Sequence, residues 1–234
     1  QAEWLIKPNT IRGDNWLKNT FLKKAWFWAA LIVTLVIGYY SFEVIIARTH
    51  TIETVEYYYD TGQMKMTAGD LSPRQLEILL KVEDPSFYDH HGVDFKTPGA
   101  GWTTITQGLA KKFYFKEFKS GIMKIKQSLC ARCALDPLVS KERQLDLYIN
   151  IMYFGNETYG LEDAAEYYFN KDIDELEEDE FIALIACLIN PEQLNIKDHP
   201  QENAVRVQRI KKVLSGAYKP QGLFDITYEG AEKI

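Results

Sequence analysis

Ser72–Asp94, SPRQLEILLKVEDPSFYDHHGVD, opens as a helix and closes on a pair of carboxylates. Ser72 suits an N-cap because its hydroxyl can accept a free backbone N–H, and Pro73 suits the first helical position because its missing N–H is not needed there. Leu76, Ile78, Leu79, Leu80 and Val82 supply an apolar, inward-facing run that leads directly into Glu83-Asp84. A carboxylate at the end of such a run can sit in a partly desolvated cleft, where lost hydration raises its basicity and fits it for general-base work. A plain helix-end carboxylate is the simpler reading of an isolated Glu-Asp pair.

Outward from this stretch the pattern stays helical. Thr104–Phe115, Ile122–Leu135, Lys141–Tyr153, Leu161–Tyr168, Glu178–Leu188 and Arg206–Leu214 read as further helices, the fifth with acidic residues at its N-terminal end, where the helix dipole favours them. Strand-like alternation is confined to Thr51–Tyr59, TIETVEYYY. The expected fold class is mostly α, without an internal repeat or a Gly-rich phosphate loop. Hydrophobic residues at 46% and charged residues at 26% exclude a disordered chain. The 27 basic against 33 acidic side chains, net −6, argue against nucleic acid as a partner. Three cysteines do not make a disulfide framework.

From Ala25 to Phe42 run 18 consecutive residues without a charge, followed by Glu43 and by Val44–Ala47 before Arg48. That length crosses a bilayer core as a helix, and Trp26, Trp28, Tyr39 and Tyr40 suit the interfaces. A signal peptide and a buried core helix compete with the anchor reading. Residues 1–24 carry five basic and two acidic side chains, so the positive-inside rule puts them in the cytoplasm and the chain beyond Arg48 outside. The expected division is a cytoplasmic segment 1–24, a transmembrane anchor 25–47, a juxtamembrane linker 48–70, a domain 71–218 and a C-terminal tail 219–234. Within the exported part, Lys111–Arg143 holds nine basic and three acidic residues, while Glu157–Glu180 holds eleven acidic residues and one lysine. The basic segment suits an anionic ligand or lipid headgroups, or is a set of solvated helix faces.

Five ordered motifs then carry a resemblance. Val82–Asp94 (VEDPSFYDHHGVD) resembles the first motif of the family 51 glycosyltransferases, the peptidoglycan glycosyltransferases of class A penicillin-binding proteins and monofunctional transglycosylases. Gly101–Lys111 (GWTTITQGLAK) is similar to the second motif, GGSTITQQLAK, and Met123–Gln127 (MKIKQ) falls where the third, RKxxE, is expected. Ser140–Gly155 (SKERQLDLYINIMYFG) resembles SKxxILELYLNxxYFG, with Tyr159-Gly160, Ala164-Ala165 and Phe169–Lys171 following in order. The match spans about residues 70–215.

The resemblance implies a lysozyme-like glycosyltransferase domain behind a single N-terminal membrane helix, in a bacterial cytoplasmic membrane. It implies polymerisation of lipid II, or use of a related polyprenyl-diphosphate sugar, by inverting transfer with release of undecaprenyl diphosphate. Other cell-wall synthesis proteins are the implied partners. Glu83 matches the catalytic base. Lys111 and Lys119 match basic residues that contact the diphosphate, although arginine is usual where Lys119 stands, and a lysine lacks the bidentate fork. Lys124 and Lys126 lie in the same basic segment. Asp84, Thr103, Thr104, Thr106 and Gln107 are candidate substrate contacts, with helix capping as the alternative for the threonines and turn-holding for Asp84. Gln127 stands at the position of the family's second glutamate. A divalent cation, Mg or Mn, is the implied cofactor and would assist the leaving group as a Lewis acid. No His/Cys/Asp cluster reads as a dedicated cage, and His90-His91 read as structural.

Gln127 keeps the shape of glutamate and loses its charge. Trp102 stands for a glycine, Gly108 for the second glutamine and Met123 for an arginine. Together they read as a divergent member, and a catalytically weak binding or scaffolding homologue is the alternative. A hydrolase is a third reading, with Glu83 as an acid. No serine has a lysine three residues on, so a transpeptidase nucleophile is not expected in these residues.

Overall fold

The computed structural model describes residues 12–233, with side chains described from Phe21 onward. The chain divides into two compact units, residues 1–43 and 44–234. Helix α1, Arg12–Asp60, runs through the first and into the second. Its most apolar 18-residue window has a mean hydropathy of 2.0, and none of that window is buried by protein. Trp26, Phe27, Ile32, Leu35 and Ile37 are all exposed. A helix of a soluble core would hide such residues, so by length and composition this is a segment able to cross a membrane.

In the second unit the strand pattern read over Thr51–Tyr59 is corrected: these residues are helical. Ala47, Thr51 and Val55 are buried at four-residue spacing, the period of a helix face, while Ile52 and Tyr57 of the apparent alternation are exposed. Tertiary contacts fix this end of α1. The Thr51 hydroxyl meets Tyr114 Oη at 2.8 Å, Arg143 pairs with Glu56 at 3.0 Å, and the Arg48 guanidinium donates to the Cys133 carbonyl.

The other helices follow the capping chemistry closely. α2, Pro73–Glu83, starts at Ser72, whose hydroxyl accepts from the Gln75 amide while the Gln75 side chain accepts from the Ser72 N–H. α3, Ile105–Tyr114, repeats this capping box with Thr104 and Gln107. α4, Met123–Cys130, continues as a π-helical turn, Ala131–Leu135. α5, Lys141–Ile151, is capped by Ser140, and α6, Leu161–Phe169, ends on Asn170 in the left-handed conformation. α7, Glu178–Cys187, buries Phe181, Ile182, Leu184, Ile185 and Ala186, and contacts α2, α6 and the helices over Pro191–Leu194 and Pro200–Leu214. A helix apolar on nearly every side belongs at the centre of a domain. Each large aliphatic side chain it buries contributes about 1.5–3 kcal/mol before entropy is counted.

α8, Pro191–Leu194, is a single turn, and α9 is Pro200–Leu214. α9 begins six residues before the expected Arg206, because Pro200 takes the first helical position and the polar run after it continues the helix. Tyr218, Tyr228 and Ala231 are buried, so the chain after α9 packs back on the domain. Among the described residues the sole β-pairing is an isolated bridge between Tyr153 and Tyr159.

Candidate active site

Glu83 ends α2 on the wall of a cleft of about 430 Å³. The cleft is bounded by the loop Gly99–Thr104, by α3 through Gly108, Lys111 and Lys112, by α5 through Tyr148 and Met152, and by Arg206 of α9. Tyr148 Oη donates to Glu83 Oε2 at 2.6 Å. Burial pushes the Glu83 carboxyl above the ordinary range; the Tyr148 hydrogen bond and the Arg206 guanidinium pull it back, and Asp84 adds to the rise. The result is a carboxylate that is ionisable, more basic than in water and oriented by a phenol. Tyr148 itself, buried beside that negative charge, is driven well above its usual range and stays a donor.

Cations stand elsewhere on the same cleft. Lys111 and Lys112 line it, and Lys124 reaches its rim by donating to Thr103 Oγ1 at 2.7 Å. Lys111 and Lys124 share the Phe118 ring, with ammonium-to-centroid distances of 5.2 and 5.9 Å. Burial, and then the nearby Lys111, lower the Lys124 pKa, so this pair gains from an anion placed between them.

The candidate residues separate into two groups. Glu83, Thr103, Thr104 and Lys111 line the cleft, and Lys124 touches it through Thr103. Lys119 and Lys126 do not line it; Lys119 is exposed, and Lys126 lies 5.0 Å over the Phe115 ring. Asp84, Thr106, Gln107 and Gln127 are buried behind it. Asp84 accepts from the Ile105 amide at 3.0 Å and meets His90 Nε2 at 2.9 Å, tying α2 to the start of α3. Thr106 donates to Gln144, and the Gln107 side chain serves both the Thr104 amide and Ser128. Gln127 donates through Nε2 to the Gln107 carbonyl at 2.8 Å, and its Oε1 has no partner. Thr104 does both jobs, lining the cleft and capping α3.

His90 is thus held by Asp84, whereas His91 is exposed and 3.6 Å from Asp136. Cys130, Cys133 and Cys187 form no disulfide. Among the described residues no group of three or more His, Cys, Asp or Glu is arranged to hold a metal. Lys111 and Lys112 line the same cleft as Glu83, so these residues do not fit a resident divalent cation.

Tyr148, Lys112 and Arg206 belong to the cleft and were not singled out from the sequence. Tyr148 had a signal: it lies four residues after Gln144, on the α5 face that meets Thr106 of α3. Arg206 had none, since its approach to the cleft depends on how α9 packs against α2.

Residues 49–215 match the family described as Transglycosylase. Penicillin-binding protein 1F of Bacillus subtilis (strain 168) is 31% identical over 171 residues, covering 68% of this chain and 24% of the relative. Penicillin-binding protein 1A of Escherichia coli (strain K12) is 29% identical over 189 residues, covering 75% of this chain and 22% of the relative. The biosynthetic peptidoglycan transglycosylase of Acinetobacter baumannii is 30% identical over 189 residues, covering 71% of this chain and 82% of the relative. The chain therefore spans about a quarter of the penicillin-binding proteins it matches and most of the shorter transglycosylase.

Proposed function

The chain belongs to the transglycosylase family, and from that premise we propose that it is a membrane-anchored peptidoglycan glycosyltransferase that polymerises lipid II. The observation that carries this reading is the pairing of a desolvated, phenol-oriented Glu83 with a lysine-lined wall in one cleft. Such a site can take a proton from one partner and accept a leaving anion from the other.

In this mechanism Glu83 removes the proton from the acceptor sugar hydroxyl as its oxygen bonds to the donor's anomeric carbon. The bond from that carbon to the diphosphate breaks, its electron pair leaves with undecaprenyl diphosphate, and the α-linkage becomes β. Glu83 ends the step protonated. Lys111 and Lys124 meet the charge that develops on the leaving diphosphate; charge-assisted contacts of this kind contribute roughly 1.5–3 kcal/mol each. Thr103 orients the same polar group. No step is routed through a metal.

Asp84, Thr106, Gln107 and Gln127 act in this reading as the frame that sets the α2–α3–α4 junction. A binding or scaffolding subunit is less well supported, because neither Gln127 nor Met123, where the family's charges are lost, lines the cleft, while Glu83 keeps a base's surroundings. We also propose that α1 anchors the protein once in the cytoplasmic membrane with residues 1–24 inside. A reporter fused after Ile234 is then active outside the cytoplasm, and a cytoplasmic signal overturns the orientation.

The activity is tested by incubating the purified protein with labelled lipid II and a divalent cation and separating the products by size. Growing glycan chains are expected. Binding of lipid II without polymer would favour the scaffolding reading.

A further inference from the structure

Two large aromatic rings stand open at the rim of the cleft. Trp102 lines it and is 54% exposed; Phe224 packs beside it with ring centroids 5.4 Å apart and is 63% exposed. Neither ring is loose. The Gly99 and Gly101 amides donate to the carbonyls of Gly222 and Leu223 at 2.9 and 2.8 Å, so the loop before Trp102 is laced to the chain that carries Phe224. Gly101 has φ +68°, and a Cβ there would lie 2.8 Å from Ile226 Cγ2, so this close approach requires glycine. Arg206 donates to the Ile226 carbonyl at 2.6 Å, and Tyr218 bonds Asp225, fixing the segment to the domain. Phe224 lies beyond the residues that match the family.

The chemistry around the rings indicates what covers them. Thr103 and Lys124 sit beside Trp102, so the ligand there presents an apolar face and a polar edge together. A pyranose ring does this, with axial C–H bonds on its face and hydroxyls around its rim; a hydrocarbon chain would leave Thr103 and Lys124 unmatched. The departures from the motif agree. Gly108 carries no side chain where the family has glutamine, and its missing Cβ would lie 3.4 Å from Tyr148, whereas Trp102 carries an indole where the family has glycine. Bulk has moved from the wall beside Glu83 to the rim.

We propose that Trp102, backed by Phe224, is a stacking platform for a pyranose ring of the substrate and so a specificity-determining residue of this cleft. The proposal rests on the glycosyltransferase reading for its substrate class. Aromatic contacts of this size predict a rise in KM of about 3–10-fold for Trp102→Gly, a smaller rise for Phe224→Ala and little change in kcat. Trp102→Phe, which keeps a smaller ring, should fall between wild type and Trp102→Gly.

The test compares these variants on lipid II carrying its natural polyprenyl chain and on the same headgroup with a short prenyl chain, with thermal melts to confirm that each variant folds. Binding is read in parallel. Trp102 is the single tryptophan of residues 49–234, so the emission difference between wild type and Trp102→Phe reports this site. An equal KM penalty on both chain lengths, with an emission change on binding, supports the platform. An unchanged KM in folded Trp102→Gly overturns it, as does a penalty that vanishes with the short chain, which would assign the rings to the lipid. If wild type binds the headgroup with a Trp102 signal and makes no polymer, the platform stands and the polymerase reading fails. Absence of any signal on binding removes the platform whether or not polymer forms.

Discussion

The two sides of the α2–α3–α4 junction use similar residue types in opposite ways. On the cleft side, Glu83 is a carboxylate held partly out of water, with one phenol donor at 2.6 Å and lysines on another wall. On the far side, Asp84 is fully buried and spends its oxygens on the Ile105 amide and His90, and Gln127 spends its amide on the Gln107 carbonyl. Neighbouring carboxylates thus differ in their surroundings because helix geometry points one at the cleft and the next at a helix N-terminus. The difference teaches that a motif combines two sets of letters, one that lines the cleft and one that holds the first set in place.

The largest effect should follow from breaking the far side. Asp84→Ala leaves His90 and the Ile105 amide without their acceptor, which predicts a loss of about 3–5 kcal/mol in unfolding free energy. Chemical denaturation measures it, and a loss below about 1 kcal/mol would mean that Asp84 is not a framework group. On the cleft side, Lys111→Ala should leave the melt unchanged and weaken binding of a lipid-linked diphosphate by roughly tenfold or more. Lys171→Ala is the comparison, because Lys171 pairs with Glu180 at 2.7 Å in the acidic stretch. Equal, small effects on binding from both would reduce the basic segment to a solvated face.

Gln127→Glu restores the family's letter and sharpens the contrast. In this packing a carboxylate would face the Gln107 carbonyl with no proton to donate, so the variant should lose about 1–3 kcal/mol of stability without a gain in rate. A faster enzyme of unchanged stability would show that position 127 acts on the substrate after all.

The smallest effect concerns proton affinity. Tyr148 donates to the ionised form of Glu83, so Tyr148→Phe should raise the Glu83 pKa and move the acid limb of the pH–rate profile upward. An unmoved or lowered limb would contradict this. The linkage to stability has the sign of a raised acid. Folded Glu83 binds its proton more tightly than the unfolded chain does, so its contribution falls as pH rises from the unfolded value towards the folded one. Glu83→Gln should therefore equal or exceed wild type in stability above that window.

Much of this was legible in the residues themselves. Ser72 announces a helix start because capping is local chemistry, and the helices expected from Thr104 and Lys141 appear within a few residues of expectation. The Thr51–Tyr59 pattern misled because three tyrosines and a valine fit either period, and contacts with Tyr114 and Arg143 on distant helices fix the helical one. The partition of the candidate residues was illegible for a related reason. Thr103 and Thr106 are three residues apart in one motif, yet the loop presents Thr103 to the cleft while α3 turns Thr106 inward to Gln144. Arg206 enters the cleft only through the packing of α9.

The central claim is that Glu83 is the base of this cleft, and the most direct measurement is the initial rate of lipid II polymerisation by Glu83→Gln beside its thermal melt. Losing a general base predicts a fall of roughly 10²–10⁴ in rate with a melting temperature no lower than that of wild type. A Glu83→Gln protein that polymerises lipid II at the wild-type rate would contradict the account.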